Sequence, residues 1–130
     1  MNEPLILTPL RKAIASLRAA LAQPKDEFVR DAVIQRFEYT YELAWKSLQR
    51  RLVEDLGGEA VVPLSRRDLF RLAAERALID DPLPWFEYHK ARNIRSHTYN
   101  ERIAEEVYVV AQAFLGDVES LLRVLEDSDA

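Results

Sequence analysis

Glycine is scarce in this chain, and its placement restricts the possible folds more than any other feature. The 130 residues contain three glycines and six prolines: Gly57, Gly58, Gly116, Pro4, Pro9, Pro24, Pro63, Pro82 and Pro84. A sheet protein of this length needs more turn glycines, whereas the long uninterrupted stretches between these positions suit helices. The sequence has no glycine-rich loop, which excludes the phosphate-binding and dinucleotide-binding fingerprints. We therefore predict an all-α protein.

Composition narrows the possible functions further. Hydrophobic residues make up 48% of the chain and the net charge is -4, the balance of an ordinary globular domain and not of a general polyanion binder. The chain has no cysteine and only two histidines, which disfavours disulfides and metal sites. It also has no apolar run of membrane-spanning length. We expect a single cytoplasmic domain over residues 1–130 that binds no cofactor, no metal, no DNA and no membrane.

Apolar residues recur at helical spacing in five segments. The segments run over residues 8–23, 26–56, 65–80, 85–94 and 98–125. Short connections between long helices favour antiparallel neighbours. The predicted architecture is an up-and-down antiparallel bundle of four to five helices. In the second segment, Ile34, Leu43 and Trp45 widen the apolar face, which suggests a further packing surface, on this chain or on another.

Local signals give more specific expectations for the helix ends. Thr8 is expected to cap the first helix, and Gly57 with Gly58 to stop the second. Residues 61–63 read as a short extended linker. Thr98 and Glu101 fit the capping-box pattern, which predicts a last helix with Thr98 as its cap and Glu101 at the third helical position.

The stretch from Arg92 to Arg102 carries more chemistry than its surroundings. Residues 85–102 have a net charge of +2, whereas residues 104–130 have -6, so the basic surface is local. Arg92 and Arg95 can offer forked donors to an anion, and His97 can move protons near neutral pH. His97 is also expected at a helix N-terminus, which favours a phosphate. These are the parts needed to cleave a phosphodiester without a metal.

The same residues also allow a purely structural interpretation. In that interpretation, Arg92 and Arg95 pair with nearby carboxylates on the surface. His97 bonds a backbone carbonyl, and Tyr99 forms a half-buried edge of the core. His89 lies eight residues before His97 and is expected to be a packed or surface residue and not a second catalytic one.

Two motifs carry a family resemblance. Residues 92–99, RNIRSHTY, resemble the R-x4-H-x-Y motif of HEPN-domain proteins of the HepT type. Residues 37–46, FEYTYELAWK, resemble the signature of the branch called nucleotidyltransferase substrate-binding proteins. The motifs lie about fifty residues apart in the expected order, and the resemblance extends over most of the chain.

The resemblance implies a function as well as a HEPN bundle. HepT-like members are homodimeric toxins that cut RNA, often tRNA, without a metal. A MntA-like nucleotidyltransferase antitoxin silences them by transferring AMP from ATP to the motif tyrosine. Carried over to this chain, Arg92 and His97 would be catalytic, Asn93 would support the site and Tyr99 would accept AMP. Arg95 and Ser96 fall in the variable part of the motif, and we assign them to substrate binding by inference alone.

Two other functions stay open at this point. The chain could be a non-catalytic subunit that binds a nucleotide or substrate for a minimal nucleotidyltransferase, with His97 as a ligand contact. It could also be a structural dimeric adaptor, which would not need Arg, His and Tyr at this spacing and therefore ranks last. Removing His97 should abolish RNA cleavage if the chain is a nuclease toxin, but should only weaken ligand binding if it is a non-catalytic subunit.

Overall fold

Helices make up most of the residues that the structure describes. The computed structural model describes residues 6–94 and 100–128. The helices are α1 (Thr8–Leu21), α2 (Glu27–Leu56), α3 (Gly58–Val61), α4 (Arg66–Glu75), α5 (Pro82–Ile94) and α6 (Glu101–Ser128). Within these residues there is no strand, which confirms the all-α prediction. Over the same ranges, no helix is both long enough and apolar enough to cross a membrane.

The four longer helices α1, α2, α5 and α6 run alternately up and down. Helix α1 lies antiparallel to α6, because Arg11 pairs with Glu126 at 2.5 Å near one end and Arg18 pairs with Glu119 nearer the other. The N-terminal ends of α2 and α6 meet, so these two helices run in the same direction. Helix α4 packs mainly against α5 at one side of the bundle. This arrangement is the predicted up-and-down bundle.

Aromatic side chains form the centre of the core. Phe114 of α6 is fully buried and contacts Phe37 edge-on, with ring centroids 5.1 Å apart. It also contacts Tyr88 at 5.0 Å and Trp85 at 5.8 Å. Because these rings come from α2, α5 and α6, Phe114 joins three helices through edge contacts, which aromatic pairs prefer.

Side-chain caps and a glycine set several of the helix ends. Asp26 Oδ1 accepts a hydrogen bond from the Val29 amide at 2.8 Å at the start of α2. Ser65 Oγ accepts one from the Asp68 amide at 3.1 Å at the start of α4. Helix α2 ends at Gly57, as predicted, and this residue has φ 90° and ψ 152°. That conformation is accessible almost only to glycine.

Replacing Gly57 should therefore destabilise the bundle through the backbone. Gly57→Ala is expected to lower the free energy of unfolding by about 1–3 kcal/mol. Apart from Gly57 and its two chain neighbours, no residue has an atom within 4 Å of where the new Cβ would stand, so the cost arises from the local backbone conformation alone. Urea denaturation measures the effect.

Gly116→Ala provides the matched control. Gly116 is an exposed residue of α6 with equally open space, so alanine there should raise the free energy of unfolding by about 0.4–1 kcal/mol. Equal effects of the two substitutions would contradict the role assigned to the Gly57 backbone.

Three sequence-based expectations about the first four helices were wrong. Leu7, and not Thr8, occupies the capping position of α1, and it makes no side-chain cap bond. The one-turn helix α3 occupies part of the region expected to be extended. Helix α4 ends at Glu75, about five residues early, because Ala77 adopts φ 61° and the Leu78 amide bonds the Ala73 carbonyl at 2.9 Å. Glycine usually occupies this helix-ending position. Because alanine stands there in this chain, no signal in the sequence marks the end of the helix.

The wide apolar face of α2 is largely covered by the chain itself. Ile34 is only 9% exposed, and Leu43 is partly buried against the core. The guanidinium of Arg66, on α4, lies 3.2 Å from the ring centroid of Trp45. The further packing surface that the sequence suggested is thus filled mostly within one chain.

Candidate functional site

Helix α5 carries a row of polar side chains beside its buried face. Trp85, Tyr88 and Ala91 point into the core. His89, Arg92 and Asn93 are spaced three and four residues apart, so they share an adjacent side of the helix. The C-terminal turn of α5 therefore carries Arg92 and Asn93, and their roles in the site stay predictions.

Arg92 is oriented by Glu42 of α2. Arg92 Nε lies 3.3 Å from Glu42 Oε1, and the two side chains are 18% and 34% exposed. Glu42 Oε2 in turn accepts a hydrogen bond from Trp45 Nε1 at 3.1 Å. Among the described residues, the guanidinium makes no aligned hydrogen bond, and its buried Nε stays unsatisfied. Its forked donors thus remain available to an anion.

His89 links Asn93 to the core. Its Nε2 lies 3.1 Å from Asn93 Nδ2, and its Nδ1 lies 2.8 Å from the Tyr41 hydroxyl. Because an amide nitrogen only donates, Nε2 accepts, and the ring proton is assigned to Nδ1, where it donates to Tyr41. His89 is thus a packed residue, as expected from the sequence, and it orients Asn93.

Electrostatics keep His89 neutral. Burial lowers the pKa of His89, and the nearby Arg66, Arg67 and Arg92 lower it further, whereas Glu42 opposes them. Burial also raises the pKa of the Tyr41 hydroxyl above its ordinary value. The hydrogen bonds through His89 are therefore made by neutral groups at pH 7.

The lowered pKa predicts a pH dependence of stability. The unfolded chain takes up a proton on His89 near its ordinary pKa of about 6.5, whereas the folded chain does so only at lower pH. Stability contributed by neutral His89 is therefore present above that pH and decreases as the pH falls below it. We expect the melting temperature of the wild type to drop more between pH 7 and pH 5 than that of His89→Gln. Parallel melting curves for the two proteins would contradict this expectation.

The rest of the predicted site lies outside the described residues. This rest is the segment of residues 95–99, which consists of Arg95, Ser96, His97, Thr98 and Tyr99. Of the predicted site, the structure describes Arg92 and Asn93 and places them next to Glu42, Trp45 and His89. It also defines where the helices on either side of residues 95–99 end and begin. At one end α5 finishes at Ile94, and at the other end α6 begins at Glu101.

The start of α6 differs from the predicted capping box. Asn100 Oδ1 accepts a hydrogen bond from the Ile103 amide at 2.9 Å, so Asn100 is the cap and Glu101 is the first helical residue. Asparagine caps helices at least as well as threonine. Glu101 Oε2 bonds instead to Nη1 of the buried Arg30 at 2.6 Å.

Arg30 fastens this helix start to α2. Its side chain is 4% exposed and also contacts Glu105 at 3.4 Å and Asp31 at 3.2 Å. The hydrogen bond to Glu101 is the main cause that raises the pKa of Arg30 above its ordinary value, and burial opposes it. A hydrogen bond from Lys25 and a second from Arg30 lower the pKa of Glu105.

Sequence reasoning allowed Glu42 and Trp45 to line a dimer interface or the floor of the cleft, but it did not predict the contact with Arg92 and assigned no function to Arg66. Glu42 and Trp45 lie three residues apart on α2, and the helical spacing alone could have placed them on one side of the helix. Nothing in the sequence places Arg66 of α4 over Trp45. Over residues 6–94 and 100–128, no group of three or more histidine, aspartate or glutamate side chains could hold a metal ion.

Comparison with known proteins identifies the family of this chain. A family model described as nucleotidyltransferase substrate binding protein like matches residues 5–127. The chain is 33% identical to a Haemophilus influenzae protein named probable ribonuclease HepT, over 96% of this chain and 94% of that protein.

Solved structures show the same fold. One is a Haemophilus influenzae protein described as having the fold of a substrate-binding domain of a nucleotidyltransferase, with a TM-score of 0.86, 30% identity, and coverage of 93% of this chain and 99% of that one. A Thermus thermophilus protein matches with a TM-score of 0.77 and 33% identity, over 89% of this chain and 98% of that one. The chain therefore belongs to the nucleotidyltransferase substrate-binding protein-like family and is a HepT-like member of the HEPN proteins.

Proposed function

We propose that this chain is a metal-independent endoribonuclease, the toxin of a HepT/MntA-type pair, with tRNA as its substrate. One observation carries the proposal. Arg92 is partly buried and paired with Glu42, makes no hydrogen bond to another described residue, and lies shortly before His97 in the sequence. The relative named probable ribonuclease HepT supports the same activity.

The proposed reaction needs only side chains and the RNA itself. A base removes the proton from a ribose 2′-hydroxyl, and that oxygen attacks the adjacent phosphorus. The bond to the 5′-oxygen breaks, an acid protonates that oxygen, and a 2′,3′-cyclic phosphate remains. His97 serves as a proton-transfer group, and Arg92 stabilises the charge that develops on the phosphate. Asn93, Arg95 and Ser96 position the substrate.

We further propose that the active form is a homodimer. One chain supplies one His97, whereas the reaction uses both a base and an acid. A two-fold dimer would bring two copies of the motif to one cleft. Sedimentation equilibrium of the purified protein tests this, and a monomer with full cleavage activity would contradict it.

Control of the proposed toxin acts on Tyr99. A MntA-like nucleotidyltransferase transfers AMP from ATP to the tyrosine oxygen and releases pyrophosphate. The added phosphate and base compete with the RNA phosphate for Arg92. The family description, which links these proteins to nucleotidyltransferases, supports such a partner.

The decisive experiment uses purified wild type and His97→Ala with total tRNA in EDTA. Mass spectrometry first shows that both proteins lack AMP on Tyr99. We expect the wild type to release fragments with 2′,3′-cyclic phosphate ends and His97→Ala to release none. Intact tRNA after incubation with unmodified wild type would contradict the proposal for this substrate.

The second candidate is a non-catalytic subunit that binds the substrate of a nucleotidyltransferase. The family description and the solved Haemophilus influenzae relative favour it. In this function His97 contacts the ligand without turning it over. His97→Ala would then weaken binding of nucleotide or RNA, and neither protein would cut.

A further inference from the structure

A basic cavity lies between α4 and α5, next to the proposed cleavage site. It has a volume of about 200 Å³, and its walls include Arg66, Arg67, Phe86, His89 and Lys90. This is far more than a single water molecule occupies, which is about 30 Å³. His89 also bonds Asn93, so the cavity adjoins the Arg92–Asn93 end of α5.

Arg66 is a partly buried cation that forms no salt bridge with any described residue. Its guanidinium stacks on Trp45 at 3.2 Å, and its Nε is buried with no hydrogen-bond partner. In the part of the chain that the structure describes, no carboxylate oxygen lies within 4.0 Å of Arg66. Glu42 contacts Arg92 and Trp45 and acts on Arg66 only from a longer distance. Burial lowers the pKa of Arg66. A charge that is partly removed from water costs free energy unless an anion compensates it.

The other walls add positive charge and an aromatic surface. Arg67 lies over the Phe86 ring at 4.7 Å, and neither Arg67 nor Lys90 has a carboxylate within 4.0 Å among the described residues. Glu87 is the acidic residue of the lining. With His89 neutral, three cations face one carboxylate. Cations combined with aromatic rings are the usual means of binding single-stranded nucleic acid.

We propose that this cavity is a subsite for a nucleotide of the RNA strand next to the scissile phosphate. Arg66 binds the phosphate of that nucleotide, and the rim formed by Arg67 and Phe86 contacts its base. The identity of the nucleic acid as RNA rests on the proposed function, whereas the site itself rests on the unpaired Arg66.

A binding measurement without cleavage tests the subsite by itself. The probe is a fluorescein-labelled single-stranded RNA with 2′-O-methyl riboses, which lacks the attacking hydroxyl. Its affinity is measured by fluorescence anisotropy over a range of salt concentrations. We expect Arg66→Met to bind about ten- to a hundredfold more weakly than wild type, since it loses a charge-assisted hydrogen bond. The slope of log affinity against log salt should decrease by about 0.7, the value for one phosphate contact on a single strand.

The matched control is Arg11→Ala, which removes the same charge from α1, where Arg11 pairs with Glu126. It should bind the probe like wild type, and equal losses in both variants would overturn the subsite. Arg66→Met should stay folded, because the side chain is only partly buried and methionine can keep an apolar contact with the Trp45 ring. Should Arg66→Met unfold, the exposed Arg67→Ala replaces it, with a smaller loss of affinity expected.

Two further outcomes are informative. One distinguishes an RNA phosphate from that of a free nucleotide, and the other distinguishes the subsite proposal from the nuclease proposal. Weaker binding of free AMP by Arg66→Met, with unchanged binding of the RNA probe, would overturn the RNA subsite in favour of a free nucleotide. Arg66-dependent binding of the probe supports the subsite even when wild type fails to cut unmodified RNA, a result that would contradict only the nuclease proposal.

Discussion

Replacing Arg92 with alanine is expected to lower the rate constant for RNA cleavage by about 10²- to 10³-fold, the effect of removing one donor to a developing oxyanion. Glu42 orients the guanidinium at 3.3 Å, and the remaining donors are free to meet the phosphate as its charge grows. Single-turnover cleavage of a labelled RNA at saturating protein measures the chemical step.

Arg92→Lys and Arg11→Ala complete this experiment. Lysine keeps the charge but cannot form the planar fork, so Arg92→Lys should recover only part of the lost rate. Arg11→Ala removes a charge paired with Glu126 on another side of the bundle and should cut at the wild-type rate. An Arg92→Ala protein that is folded by circular dichroism and cuts at an unchanged rate would remove Arg92 from the proposed chemistry.

The largest expected effect on stability belongs to Phe114. Its ring is fully buried and contacts Phe37, Trp85 and Tyr88. Truncating a buried aromatic side chain removes its contacts and leaves a cavity, so Phe114→Ala should lower the free energy of unfolding by about 3–5 kcal/mol. Urea denaturation measures this as a fall in the midpoint.

Val109→Ala serves as the control on the same helix. Val109 is 61% exposed, so its replacement should change the free energy of unfolding by less than about 0.5 kcal/mol. A loss below about 1 kcal/mol for Phe114→Ala would mean that the aromatic centre collapses around the missing ring, contrary to the rigid packing described above.

The helices were predictable because their signals are local. The long α2 is bounded by Asp26 and Gly57, a side-chain cap and a glycine stop that act within one turn. The errors also have local causes. At the end of α4, alanine occupies a position with positive φ where glycine is usual. At the start of α6, Thr98 and Asn100 are both suitable caps and stand close together in the sequence, and the structure has Asn100 as the cap.

The site was predictable only in part. The motif placed Arg92 and Asn93 together because they are neighbours on one helix. Glu42 and Arg66 reach Arg92 and Trp45 across distances of fifty and twenty-one residues in sequence. Contacts of that range depend on how α2, α4 and α5 pack, and no periodic pattern within one helix encodes them. His97 and Tyr99 lie outside the described residues, so their assigned roles stay predictions.

The bond between Arg30 and Glu101 has a consequence for how this family can diversify. It fixes the beginning of α6 to α2, and the contact between Arg92 and Glu42 fixes the end of α5 to the same helix. Neither contact uses residues 95–99. Exchanging those five positions would therefore remove no atom of either contact. We expect chimeras with grafted segments to fold on this scaffold and to differ chiefly in the chemistry that the segment brings.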